Sequence, residues 1–382
     1  MILSTHPIQY QVPIWQALAR DGSVPFEVWY LSEHGVAPSA DREFGKTFAW
    51  DIDLLSGYPH RFLDGAKRSE PGHFWGCRLH ENLSARLKRA GATALWMQGW
   101  QVAAYWQAAR QAKAAGVPVW LRGESNDLAA TPWWKRPLKR LALGYLFSRV
   151  NRFLSIGSAN ARLYRRFDIP DRRLSPAPYA VDNERFAKQA DALRPQRQAL
   201  RRQWGIGEDA FCVLFCGKFI AKKRPMDLVR AAASLGGQGA NVHLLFAGAG
   251  ELEPALRDAC NDVRASFAGF LNQTEISRAY VAADCLVLPS DATETWGLVV
   301  NEAMASGLPC IVSDACGCAE DLVAPVDPRF VFRCTDTAAL ANALTVMHAK
   351  PQSPDVWRRA VSANDFQHTV ATVVALAGKA TP

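Results

Sequence analysis

No apolar run in the 382 residues comes near the roughly 20 that a membrane-spanning helix needs; the best stretch, Leu141 to Phe147, is far too short. Charge is sparse, at 21% against 49% hydrophobic residues, which excludes disordered chains and fibrous repeats. No internal repeat or low-complexity tract is present. Nothing resembling a basic leader or apolar signal segment precedes the strand-like Ile2 to Thr5, so a cytoplasmic location is expected. Cysteine is present nine times, an odd number, but it lacks the spacing that makes it a ligand or a bridge. Cys212, Cys216, Cys285 and Cys310 sit in apolar runs where a reduced thiol behaves as a small hydrophobe. Cys316 and Cys318 have neither a second pair nor spaced histidines, so they form no zinc pattern, and no metal or cofactor is expected. His73, His80, His243 and His348 have no partners in sequence and read as ordinary surface or satisfied histidines.

Charge is also unevenly divided between the halves of the chain. Residues 1 to 190 carry 26 Lys and Arg against 16 Asp and Glu, or +10; the rest carry 18 against 20, or −2. Thr131 to Arg173 alone holds eleven basic and two acidic residues. The first half is therefore the one suited to an anionic partner. No nucleic-acid-binding motif accompanies it, and nucleic acid is not expected.

The length allows two large α/β domains. In the second half, Cys212 to Gly217, Val242 to Gly248, Ala265 to Phe270, Cys285 to Ser290, Pro309 to Asp314 and Phe330 to Arg333 are short apolar or β-branched runs. Between several of them lie amphipathic stretches, Met226 to Ser234, Leu252 to Ala259, Glu275 to Ala283 and Leu298 to Ala305. Strand and helix alternating at this spacing predict a parallel sheet covered on both faces. The first half repeats the scheme at Ile2 to Thr5, Phe26 to Leu31, Ala94 to Gln98, Val117 to Arg122, Arg152 to Ile156 and Leu174 to Tyr179. The expected fold is α/β, two Rossmann-like doubly wound domains facing a cleft. The expected divisions are 1–187, 188–356 and 357–382, with Trp357 to Ala377 read as one helix.

The stretch richest in chemistry is Glu294-Thr295-Trp296-Gly297-Leu298-Val299-Val300-Asn301-Glu302, directly after a strand. A helix opening near Gly297 places Glu294 before its N-terminus and Glu302 about one and a half turns in. The two carboxylates can then accept from hydroxyls at opposite ends of one ligand. The N–H groups of Trp296, Gly297 and Leu298 face an anionic middle, which a helix N-terminus favours by about 0.3–1 kcal/mol. Upstream, Gly217, Lys218 and Lys223 follow the strand Cys212 to Cys216 at the edge where doubly wound sheets bind ligands.

At these residues the sequence resembles the retaining glycosyltransferase family 4, of GT-B fold. Its E-x7-E signature is matched by Glu294 and Glu302, and its G-R/K-x4-K element by Gly217, Lys218 and Lys223. The resemblance covers most of Phe211 to Val323, including Phe267-Ala268-Gly269-Phe270, and extends loosely to Pro178-Tyr179-Ala180-Val181-Asp182-Asn183 and Arg185-Phe186. It implies that Glu302 accepts from ribose hydroxyls, Glu294 from the transferred sugar, and that Lys218 and Lys223 hold the diphosphate without a metal. The backbone at Gly269 and Phe270 would lie against the base. Lys218 stands where arginine is commoner and lacks its bidentate fork. The usual N-terminal glycine pair is replaced by Thr5-His6-Pro7-Ile8-Gln9-Tyr10, and Met97-Gln98-Gly99-Trp100 and Arg122-Gly123-Glu124-Ser125-Asn126 stand where a histidine is often found.

His6 and Glu124 follow strands of the first half and are the candidate catalytic groups there. His6 can equally cap the next helix, and Glu124 can pair structurally with Arg122. Asp51-Ile52-Asp53 resembles a metal-binding D-x-D but reads as a strand or hairpin exposing two aspartates. Trp133 to Arg152 combines tryptophans, Lys135, Arg136, Lys139 and Arg140 with Leu141, Leu143, Tyr145, Leu146 and Phe147. It reads either as a solvated helix packed on the sheet or as a basic amphipathic face for an anionic membrane. The resulting expectation is a retaining transferase moving sugar from a nucleoside-diphosphate sugar to a lipid-linked saccharide, at the inner face of the plasma membrane, in bacterial surface-polysaccharide assembly. An inactive nucleotide-binding subunit and a sugar-nucleotide epimerase are the alternatives.

Overall fold

Short runs of branched and aromatic residues, buried on both faces, form two all-parallel sheets in the computed structural model, which describes residues 1–36, 39–41, 46–48, 50–237 and 239–378. The first sheet comprises β1 (Ile2–Ser4), β2 (Val28–Tyr30), β5 (His60–Phe62), β6 (Leu95–Met97), β7 (Val119–Leu121), β8 (Arg152–Ser155) and β9 (Leu174–Pro176). Their order is β5-β2-β1-β6-β7-β8-β9. A separate two-stranded pair, β3 (Ser39–Asp41) and β4 (Lys46–Phe48), lies in the insertion after β2. The second sheet runs β12-β11-β10-β13-β14-β15, built from β10 (Phe211–Cys216), β11 (Val242–Ala247), β12 (Ala265–Gly269), β13 (Cys285–Leu288), β14 (Cys310–Ser313) and β15 (Val331–Phe332). In both sheets the first strand is central and the order reverses beside it. Each unit therefore has a switch point, at β1/β6 and at β10/β13, where a crevice opens outside the carboxyl ends.

Chain contacts divide the molecule into one unit holding the first sheet and the chain from Phe366 onward, and another holding 180–365 together with 40–51. The first division falls at Tyr179, earlier than the expected 187. The reason is that helix Asn183–Leu193 packs on Ser277–Ala282 and Leu298–Ala305 of the second unit. The expected single C-terminal helix is two. Pro354–Val361 packs on Leu298–Ala305 with Trp357 fully buried, and Phe366–Gly378 packs on Val12–Asp21 in the first unit. The break has a long-range cause. Asn183 Nδ2 donates to the carbonyls of Val361 and Asn364, at 3.4 and 3.3 Å, and Val181 bridges Asp365, so the backbone between the helices is held in another pairing. Beyond it, Thr372 Oγ1 donates to Pro176 O at 2.7 Å, tying the last helix to β9.

The D-x-D segment is neither strand nor hairpin. Asp51 and Asp53 lie in bends and are exposed; Asp53 accepts from the N–H groups of Leu55 and Ser56, as a turn-forming aspartate does, and Asp51 accepts from Thr274 N at 3.1 Å. Ala49, beside it, lies outside the described residues.

Candidate functional site

The loops leaving β10 and β13 converge at the switch point of the second sheet. They are stitched by backbone: Asp291 N–H donates to Lys222 O at 2.9 Å, and Glu294 N–H to Asp291 O at 2.9 Å. Across that junction Lys223 Nζ is hydrogen-bonded to Glu294 Oε2, with both side chains largely buried. Lys218 is half-buried on the same loop. Gly217 N–H donates to Ala247 O and Gly248 N–H to Gly269 O, so the loops after β10, β11 and β12 form one continuous rim. A Cβ at Gly248 would lie 1.9 Å from Gly217 O, and this close approach is what requires glycine there. Phe270 follows Gly269 and is half-buried.

The helix after β13 spans Leu298–Ala305, as its spacing predicts. Gly297 is its N-cap at φ +103°, and a Cβ there would meet Leu288 Cδ2 at 2.6 Å, so both the backbone turn and the packing exclude a side chain. Trp296 is buried, its indole donating to Asn301 Oδ1 at 2.8 Å. The Trp296 side chain is thus a core member, leaving only its backbone for a ligand. Leu298, half-buried, opens the helix.

Glu302, only 3% exposed, accepts from Tyr280 Oη at 2.5 Å and from Gln273 Nε2 at 3.3 Å. Gln273 is held in turn by Arg185, whose guanidinium donates to its side-chain oxygen at 2.7 Å and to its carbonyl at 3.1 Å. Burial, and then the charge of Glu302, pushes the neighbouring Cys216 thiol up to about 12, so it stays neutral. Tyr280 and Gln273 were not among the site residues read from sequence. They come from elements outside the E-x7-E segment, and only the fold brings them to it.

His6 and Glu124 lie in the first unit. The N-cap of helix Val12–Asp21 is Gln11, so His6 is not a cap. Its Nδ1 lies 3.0 Å from Thr5 Oγ1 and its ring meets His34 edge-on at 5.1 Å. Burial, with a smaller contribution from His34, lowers His6 to about 4, leaving a neutral imidazole at pH 7. Glu124 Oε1 accepts from Tyr179 Oη at 2.8 Å, and Arg122 lies over the Tyr179 ring at 4.8 Å. The carboxylate is thus bonded to Tyr179 in place of the expected partner Arg122.

Two doubly wound parallel units, the second carrying paired lysines and carboxylates at its switch point, define a GT-B architecture. Solved structures agree. Anabaena Alr3699/HepE, solved in complex with UDP and glucose, matches with a TM-score of 0.67 at 15% identity over 99% of both chains. WaaG, a glycosyltransferase involved in lipopolysaccharide biosynthesis, matches at 0.64 and 15% over 98% of both. Residues 196–362 match the family model described as glycosyl transferases group 1. The uncharacterized glycosyltransferase MJ1607 of Methanocaldococcus jannaschii is 32% identical over 136 residues, 35% of this chain and 34% of that protein. Matches to the first curated relatives span 25% to 53% of those proteins' lengths.

Proposed function

We propose that this chain is a retaining, metal-independent glycosyltransferase that moves a sugar from a nucleoside-diphosphate sugar to a lipid-linked saccharide. The observation that carries the reading is that the bonded Lys223–Glu294 pair and the buried Glu302 share one neighbourhood, Cys216 at the end of β10 feeling the charges of both Lys223 and Glu302, inside the segment that matches the family model. Carboxylates suit hydroxyls, and lysines suit phosphates. In this reading Glu302, hydrogen-bonded by Tyr280 and Gln273, takes the ribose, and Glu294 takes the transferred sugar. When the donor binds, its diphosphate takes Lys223 from Glu294, and Lys218 and the N-terminal amides of Leu298–Ala305 share the charge. Donors fixed in advance where charge develops are worth about 2.7–4 kcal/mol each to a transition state. No step in this scheme calls for a metal.

The acceptor belongs to the first unit, which carries the basic excess. There Trp133, Trp134, Leu138, Leu141 and Tyr145 are exposed, three of them above 70%, beside Lys135, Arg136, Lys139 and Arg140. Of the two readings of this segment, such exposure of large apolar side chains favours a membrane-facing surface over a solvated helix, while Leu143, Leu146 and Phe147 anchor the helix in the core. No helix among the described residues is long and apolar enough to cross a membrane, so the proposed attachment is peripheral, to anionic lipid at the cytoplasmic face. WaaG's role in lipopolysaccharide biosynthesis agrees with a place in bacterial surface-polysaccharide assembly. Nucleotide release from a panel of UDP-, GDP-, TDP- and ADP-sugars tests the proposal, and separates it from a catalytically inactive subunit.

A further inference from the structure

The first unit buries a guanidinium that has no hydrogen-bond partner among the described residues. Arg122 is 1% exposed, and among the described residues none of Nε, Nη1 and Nη2 has a hydrogen-bond partner. Gln98 is buried as well, and both Nε2 and Oε1 are unpartnered. These two residues are neighbours by register. β6 and β7 are parallel with Met97 opposite Leu121, and Arg122 N–H donates to Met97 O at 2.9 Å. Gln98 and Arg122 are therefore the next pair, projecting to one face of the sheet at its carboxyl edge. Gln98 N–H donates to Leu3 O, which places the pair beside the β1/β6 switch point.

A buried charge without an acceptor is among the most unfavourable arrangements a fold can hold, and an unpaired buried amide adds to it. The Glu124 carboxylate, two residues on, accepts a hydrogen bond from Tyr179, whose ring lies against the Arg122 guanidinium at 4.8 Å. Arg122 thus has a face-on aromatic neighbour that orients it but satisfies none of its five N–H groups. The missing partner has a definable chemistry. A planar fork of donors matches the two oxygens of a carboxylate or phosphate. Beside it, the Gln98 amide can donate to the same anion and accept from a hydroxyl.

We infer that Arg122 and Gln98 form an oxyanion subsite for an acidic saccharide acceptor, bearing either a carboxylate or a phosphate. The inference rests on the proposal that the first unit holds the acceptor. The anion enters from the carboxyl edge of the sheet as the Tyr179 and Glu124 side chains shift, and it replaces an uncompensated charge with a bidentate pair.

Thermal unfolding of the full chain at fixed ionic strength tests it, with glucuronate, glucose 6-phosphate and neutral glucose as separate probes. Wild type is expected to gain stability with at least one of the two anions and not with glucose; the responding anion tells the carboxylate source from the phosphate source. Arg122→Met should abolish that response while keeping stabilisation by UDP. Should the methionine variant fail to fold, Arg122→Lys and Gln98→Leu serve. Each is expected to raise the anion concentration for half-maximal effect by about tenfold or more, since a hydrogen bond to a charged group is lost. A wild type stabilised by UDP but by neither anion overturns the subsite, as does an unchanged anion response in the Arg122 variants. A wild type that responds to an anion but to none of UDP, GDP, TDP and ADP supports the subsite while removing the donor assignment.

Discussion

Lys223 Nζ is hydrogen-bonded to Glu294 Oε2 across the two loops that leave β10 and β13, so the cation assigned to the diphosphate is held by the carboxylate assigned to the sugar. Glu302 accepts neutral donors from Tyr280 and Gln273. The proposed roles put the two glutamates at different stages. Glu302→Ala is expected to weaken UDP binding by about 10- to 100-fold, the loss of hydrogen bonds to a charged acceptor. Glu294→Ala is expected to leave UDP affinity within a few-fold and to lower kcat by about 100-fold or more, because it touches the ring on which charge develops. Titration calorimetry and steady-state kinetics check both; equal loss of UDP affinity in the two variants, with kcat unaffected, would refute the division.

Gly297→Ala should destabilise the second unit. The substitution forces a side chain into φ +103° and against Leu288, an arrangement costing about 1–3 kcal/mol, and it tilts the helix that carries Glu302. A lowered Tm with weakened UDP binding is the expected outcome. An unchanged Tm would contradict the packing described.

His6 gives a pH dependence whose sign is fixed. Its pKa is lowered to about 4 from 6.5, so below pH 6.5 the unfolded chain binds the proton more readily than the native one. The stability this group confers is complete above pH 6.5 and is lost as pH falls toward 4. Between pH 7 and 5 the loss should be of order 1 kcal/mol, and His6→Gln should flatten that part of a Tm-against-pH curve. Parallel curves for variant and wild type would show that the histidine is not held neutral.

Vesicles decide the role of the exposed aromatic surface. Co-sedimentation with anionic liposomes is expected to be strong at low salt, to fall with ionic strength, and to weaken when Lys135, Arg136, Lys139 and Arg140 are changed to Gln. Absence of binding to anionic vesicles at low salt would remove the membrane from the proposal.

The second sheet was legible because parallel strands covered on both faces read as unbroken apolar runs, and each expected run holds a strand within a few residues of its bounds. The edge strand His60–Phe62 was not, since an exposed arginine between two half-buried residues, with no apolar run, carries no signal. The break between the last two helices also escaped, because what holds it is Asn183, far away in sequence. Glu294, Glu302 and Lys223 could be found by spacing along the chain. Gln273 and Arg185 act on Glu302 through side chains from separate elements, and the Gln98–Arg122 pair exists only once β6 and β7 are placed side by side. Local pattern reaches the strands and the motif, whereas the polar network behind the motif depends on the sheet order.

The central claim is transfer from a nucleoside-diphosphate sugar at the Lys223–Glu294–Glu302 rim, and release of free nucleotide from UDP-, GDP-, TDP- and ADP-sugars measures it directly. The account predicts steady release from one donor class by the wild type, without added metal and faster with a saccharide acceptor. Release should be reduced by about 100-fold or more in Glu294→Ala. No release from any of the four classes, or equal release by wild type and Glu294→Ala, would contradict it.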